Sequence, residues 1–277
     1  MFSVGWAFGY ATGYAHNATL CDVAPAVWPV QSLAREVKYD PRLQQLVFEP
    51  LPEMLHGLRM MPPALVYDFN AAPVVVAPGG WLPLVNDSMV GAGKVKGYQM
   101  ELQIYFARPA PSTRDRGSTS TSNDSLGGTT GSGDVGTSTR FGVRVLKNCN
   151  LENCDFFTVV ELEFPDESSS EGILTVDARR GNSRRFNSNC IDAKSPSVFS
   201  GPFRLLPHEK LIELRVLVDR NIVEAFVQGG RTAVSAVVAP NSTTANADIF
   251  HGLKEANAAE VKVVNATVHG MGCMWET

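Results

Sequence analysis

The chain has 277 residues, 44% of them hydrophobic, with 24 basic and 28 acidic side chains and a formal net charge of -4. This length supports one large domain or two smaller ones, each with a real core. The intermixed charges offer no basic stripe to nucleic acid or an anionic membrane surface, and Pro62, Pro63, Pro73, Pro78 and Gly79 break the longest apolar runs well short of the roughly 20 residues that span a bilayer.

Residues 1–50 carry aromatic and apolar strand sequence, GWAFGYATGY followed by VWPVQSLAREV and LQQLVFEPL. Two or three strands cannot enclose a core of their own, so this segment must pack on the rest of the chain or on something beyond it. It has no basic n-region and does not read as a secretory signal. Leu51 to Arg59 is the one helix-like stretch; residues 51–60 read as a connector, with a domain boundary near residue 60.

From there the period is two. Tyr98, Met100, Leu102, Ile104 and Phe106 share one face while Gln99, Glu101 and Gln103 share the other, which predicts a half-buried strand. Residues Ser112 to Thr139 are a Ser, Thr, Gly and Asp tract too poor in apolar side chains to order itself, and read as a disordered insertion between two paired strands. Phe141 to Leu146, Phe156 to Phe164, Ile173 to Ala178 and Val261 to Val268 repeat the strand pattern. Between them Leu211 to Val237 is a meander, with Ile212, Leu214, Val216 and Val218 inward and turns at Asp219–Arg220–Asn221 and Gln228–Gly229–Gly230. Short, frequent strands broken by Gly, Pro, Asn and Asp predict an all-β protein, with an antiparallel β-sandwich over residues 61–277.

The five cysteines, Cys21, Cys149, Cys154, Cys190 and Cys273, lack CxxC spacing and read as isolated thiols. A bridge of Cys149 to Cys154, or of either to Cys190, stays open for an oxidising compartment. His16, His56, His208, His251 and His269 have no ligand spacing and read as surface or strand residues, so neither a metal nor a cofactor is expected. Sequons stand at Asn17, Asn86, Asn123, Asn241 and Asn265 and lean toward secretion.

Two blocks carry a resemblance. Gly5-Trp6-Ala7, Gln31 to Val37 and Leu43 to Leu46 resemble the last blade of the five-bladed β-propeller of family 32 glycoside hydrolases, the invertases, inulinases and related fructosyltransferases. Leu205-Leu206-Pro207, Leu214 to Phe226 and Gly229-Gly230-Arg231 resemble that family's C-terminal sandwich. The resemblance implies a propeller remnant at 1–50, a sandwich behind it, and a retaining mechanism whose two carboxyl groups lie roughly 5 Å apart. It places those acids in a W-M-N-D-P-N-G-like stretch, an R-D-P triplet and an E-C pair. None of these occurs here, so no catalytic residue is assigned and the chain alone is expected to be inactive. Cys21-Asp22 reverses the E-C order and takes no catalytic role.

The implied ligand is carbohydrate, sucrose or a fructan, where the rest of the propeller is present. Joined to the sequons, the resemblance favours an extracellular or vacuolar setting. The resemblance makes Tyr10 the nearest match to an aromatic lining the sugar pocket, and Trp6 and Trp28 offer ring faces that pack on sugar C–H groups, or else fill the blade core. Glu224 lies on a face that folding would cover, where burial raises a carboxyl pKa as in acid catalysts. The reading preferred here is that Arg215, Arg231 or backbone donors hold it and that it fixes the meander register. Asp219 is read as a turn residue accepting backbone N–H groups. A non-catalytic carbohydrate-binding or protein-interaction module is the alternative function, and residues 1–50 leave room for self-association or for pairing with a propeller-containing chain.

Overall fold

A computed structural model of the chain describes residues 2–3, 6–7, 30–69, 71–109, 138–150, 153–166, 169–181, 198–220, 222–238, 246–252 and 260–272. Strands β1 (Phe2–Ser3), β2 (Trp6–Ala7), β3 (Val30–Gln31), β4 (Arg35–Asp40) and β5 (Gln45–Pro50) precede helix α1 (Pro52–Leu58). Then come β6 (Leu65–Asp68), β7 (Val74–Val76), β8 (Trp81–Val85), α2 (Asp87–Gly91), β9 (Gln99–Ala107), β10 (Thr139–Asn150), β11 (Asn153–Phe164) and β12 (Glu171–Asp177). The C-terminal strands are β13 (Val198–Arg204), β14 (Leu211–Asp219), β15 (Ile222–Val227), β16 (Thr232–Val237), β17 (Asn246–His251) and β18 (Val261–Gly270).

The main body is two antiparallel sheets. One runs β13-β12-β11-β10-β17-β8; the other runs β16-β15-β14-β9-β18-β6, with β7 also on β18. The period-two strands supply the inner faces: Gly172, Leu174 and Val176 of β12 are buried, as are Ile212, Leu214, Val216 and Val218 of β14. Phenylalanine rings tie the layers together, Phe106 meeting Phe141 edge-on at 4.8 Å, Phe141 stacking on Phe164 at 6.0 Å, and Phe164 meeting Phe203 at 5.5 Å. The meander forms with the expected turns. Arg220 (φ 52°) lies between β14 and β15, and Gln228, Gly229 and Gly230 (φ 50°, 65° and 93°) lie between β15 and β16.

The structure corrects two expectations. The Ser/Thr/Gly tract does not join paired strands: both edges of β9 are taken by β14 and β18, and both edges of β10 by β11 and β17, so the flanking strands lie in different sheets. Its last residue, Thr139, already belongs to β10; residues 110–137 lie outside the described residues. Nor is β9 half-buried. The first part of its polar face is covered as well, with Gln99 4% and Glu101 0% exposed, while Gln103 and Tyr105 further along stay partly open.

The cover comes from the N-terminal segment. β1, β4 and β5 form a small sheet of their own, and β2 pairs with β3. This piece docks on the sandwich: the Phe48 amide donates to the Gly230 carbonyl at 2.8 Å and Met60 donates to Gly270 at 2.8 Å. A Cβ on Gly230 would lie 2.3 Å from the Phe48 carbonyl oxygen, so this contact needs glycine for space as well as for φ.

Candidate functional site

Directly paired residues in a sheet share a face. The pairs Ser235–Glu224, Glu224–Leu217, Leu217–Glu101 and Glu101–His269 therefore line up across the outer face of the sheet that holds the meander. Helix α1 lies over this row. Leu55 packs with Leu217, Phe226 and Met271 in a second small core, joined by Leu33, Leu58 and Ala233. Two carboxylates are thus shut beneath an apolar roof, and each is held by an arginine from the covering segment.

Glu224 is 3% exposed. Its Oε2 accepts the Leu33 backbone N–H at 2.8 Å; its Oε1 accepts the Arg35 guanidinium and the Ser235 hydroxyl, the latter at 3.1 Å. Arg35 also donates to Ser235 Oγ at 2.6 Å and stacks over the Phe226 ring at 5.0 Å. A backbone donor was among the expected partners. The expected arginines were not the right ones: Arg231 binds Glu209 at 2.5 and 2.6 Å, and Arg215 lies beside Glu213 at 3.2 Å and Glu101 at 3.7 Å. The reason is facial. The outer face over Glu224 is occupied by the chain entering β4, which sequence separation of 189 residues hides.

Glu101 is held in the same way, accepting Nε and Nη2 of Arg59 at 2.5 and 2.7 Å. Arg59 directly follows α1, so the helix end and the ion pair are one device. At the end of the row, burial and then the Arg59 charge push the His269 imidazole below its usual range, outweighing Glu101 and a backbone hydrogen bond to Met60. Asp219 closes β14, and its carboxylate accepts from Gln99 Nε2 at 3.0 Å; Asn221, in the turn where backbone donors were expected, lies outside the described residues.

Chemically this row is a seam. Leu217 and its strand separate Glu101 from Glu224, so their backbones stand about 10 Å apart, and each carboxylate is neutralised by a guanidinium. A second feature lies on the outer face of the other sheet, a cavity of about 440 Å³ lined by Phe157, Val159, Asp177, Arg179 and Arg180. Arg144 and Arg180 approach the Phe157 ring at 5.8 and 5.3 Å. Burial disfavours the charged form of Asp177, but hydrogen bonds from Arg179 outweigh it and hold the carboxyl below its usual range. The sequence signal for this cavity is faint, an Asp and an Arg two residues apart at a strand end.

Of the sugar-contact candidates, Trp6 lies in β2, where only the backbone pairing with Gln31 is described; Tyr10 and Trp28 lie outside the described residues, as do Cys21 and Asp22. Among the described residues no cluster of three or more His, Cys, Asp or Glu side chains is placed to hold a metal, and no helix is long and apolar enough to cross a membrane.

These features define a two-sheet antiparallel β-sandwich with an N-terminal strand segment sealed onto one outer face. The chain belongs to glycosyl hydrolase family 32: the model for the C-terminal region of that family matches residues 83–269. Solved structures agree in fold. Fructan 1-exohydrolase IIa from Cichorium intybus superposes with a TM-score of 0.60 at 18% identity, covering 88% of this chain and 41% of that one. Exo-inulinase from Aspergillus awamori gives 0.59 at 14% identity over 99% of this chain and 41% of its own. A fructofuranosidase from Schwanniomyces occidentalis, solved with fructosylnystose, gives 0.54 at 15% identity over 98% and 45%. The chain therefore spans about two-fifths of the first two. No curated protein matches it in sequence.

Proposed function

We propose that the chain is the C-terminal part of a glycoside hydrolase acting on fructosyl bonds of sucrose or fructans, and that taken alone it lacks the catalytic carboxylates. The family match over residues 83–269 carries this reading. The fold neighbours add that a variant of the chicory exohydrolase was solved with 1-kestose. The division that follows is a last-blade remnant at 1–50, a connector at 51–60 and a sandwich at 61–277. Retaining hydrolysis needs one carboxylate to attack the anomeric carbon and a carboxylic acid to protonate the leaving oxygen, about 5 Å apart. The two most enclosed acids of the row are each bound by arginine, too far apart and too covered for that work. In this reading carbohydrate is the ligand, and Trp6 and Tyr10 belong to its contacts.

Incubating the purified chain with sucrose or inulin tests the proposal. No release of fructose is expected; turnover that disappears in Glu224→Gln would show that the chemistry sits in this chain after all.

A further inference from the structure

Glu224 is tied to the strand pair that carries Trp6. β3 ends at Gln31, two residues before Leu33, so no more than about 7 Å of chain separates the amide that Glu224 accepts from the residue paired with Trp6. The second partner, Arg35, is the first residue of β4. The carboxylate thus grips the chain just beyond β3, at the amide of Leu33 and at the side chain of Arg35. β2 lies beside β16, the strand that supplies Ser235 to the same carboxylate. Nothing in the meander's own register requires an acid at this position. Its paired neighbours on the two flanking strands are Leu217 and Ser235, and the apolar Phe226 follows on the same face.

We propose that Glu224 is a positioning residue for sugar contact: from the sandwich it sets the place of β3, and through the Trp6–Gln31 pair that of β2. The proposal rests on the reading of Trp6 as a sugar contact. Both carboxylate oxygens are needed. One faces a backbone N–H and the other a guanidinium and a hydroxyl, so the amide of glutamine, which has one acceptor oxygen, must point its NH2 group at a donor whichever way it turns.

The test uses the full 277-residue chain. Glu224→Gln is compared with wild type and with Leu174→Ala, a core truncation in the other sheet that lowers stability without touching this row. Two quantities are read, hydrogen exchange at the amides of residues 6, 7, 30, 31 and 33, and the affinity for 1-kestose by calorimetry. Expected are exchange at least tenfold faster at these amides and affinity at least tenfold weaker in Glu224→Gln, with neither change in Leu174→Ala. Unchanged exchange at residues 30 to 33 in Glu224→Gln overturns the proposal, and so does an equal increase in Leu174→Ala. A wild-type chain that binds no 1-kestose shows that Trp6 makes no sugar contact within this chain by itself and overturns the sugar half of this proposal, while exchange still decides whether Glu224 positions the strands. Should Glu224→Gln fail to fold, Arg35→Lys and Ser235→Ala, each of which keeps the acid and removes part of its donor set, replace it under the same criteria.

Discussion

Replacing Arg59 by methionine leaves Glu101 fully enclosed with its nearest remaining cation, Arg215, 3.7 Å away and already beside Glu213 at 3.2 Å. Breaking a buried ion pair from one side costs about 3–5 kcal/mol, because the surviving charge keeps its desolvation penalty without its partner. The Arg59 side chain retains 23% of its exposure, so some water reaches the orphaned carboxylate and the lower end applies, about 3 kcal/mol. In urea, where m for a domain of this size is about 3 kcal/mol per molar, the midpoint should fall by about 1 M with m unchanged. The double variant Arg59→Met/Glu101→Leu removes both charges into a setting that already holds Leu55, Leu217 and Met271, and should recover to within about 1 kcal/mol of wild type. A single variant that loses less than about 1 kcal/mol, or a double variant no better than the single, would refute the claim that α1 seals this carboxylate from solvent.

The glycine turn gives a paired prediction. Gly229→Ala, at φ 65° with open space around its Cβ, should cost about 1 kcal/mol, whereas Gly230→Ala must push against the Phe48 backbone and should cost more than about 2 kcal/mol and speed exchange at the Phe48 amide. Acid sensitivity follows from the buried imidazoles of His251 and His269, whose pKa values are both lowered chiefly by burial. The unfolded chain binds their protons first, so their contribution to stability is complete above about pH 6.5 and is lost as the pH falls through the folded values. Glu161 works in the opposite sense, since burial raises its pKa and the folded state is favoured most below its unfolded value near 4.5. The clean measurement is therefore a difference: urea midpoints between pH 7 and 5 should fall less steeply in His269→Gln than in wild type, and equal slopes would show that His269 does not titrate with unfolding.

Alternation made the sandwich legible. It placed β9, β10, β11, β12, β14 and β18 because each puts one apolar file on the core, and a period of two is a local property that survives without knowledge of the partner strand. What it misread was the second face. Gln99 and Glu101 look like solvent residues in a half-buried strand, and only the fold shows both buried, Glu101 by the ion pair with Arg59 at the end of α1. The same ambiguity ran through β15, buried at all six positions, where the alternation of Ile222, Glu224 and Phe226 signals a covered face without naming the cover. Partner identity failed for a related reason. Arg215 and Arg231 stand near Glu224 in the chain, while Arg35 reaches it by folding back the whole N-terminal segment. The block Gly229-Gly230-Arg231 was recognisable as a motif before its purpose was: Gly230 admits the Phe48 backbone, and Arg231 grips Glu209 and the Arg204 carbonyl.

The covered face also bears on the choice between a hydrolase part and a free-standing module. A sandwich built to stand alone would present a polar outer face, yet Leu217 and Phe226 are 4% and 1% exposed only because Leu55, Leu33 and their neighbours lie on them. Removing the covering segment would expose these apolar residues and strip two buried carboxylates of their arginines, a combined cost on the scale of a domain's whole stability. The covering segment in turn is not saturated by the sandwich. Tyr39 and Leu46, paired across β4 and β5, are 61% and 51% exposed. A hairpin that seals one face of the sandwich while holding an aromatic and an aliphatic side chain outward has a second apolar surface free to pack, which agrees with the proposed reading of residues 1–50 as a last-blade remnant.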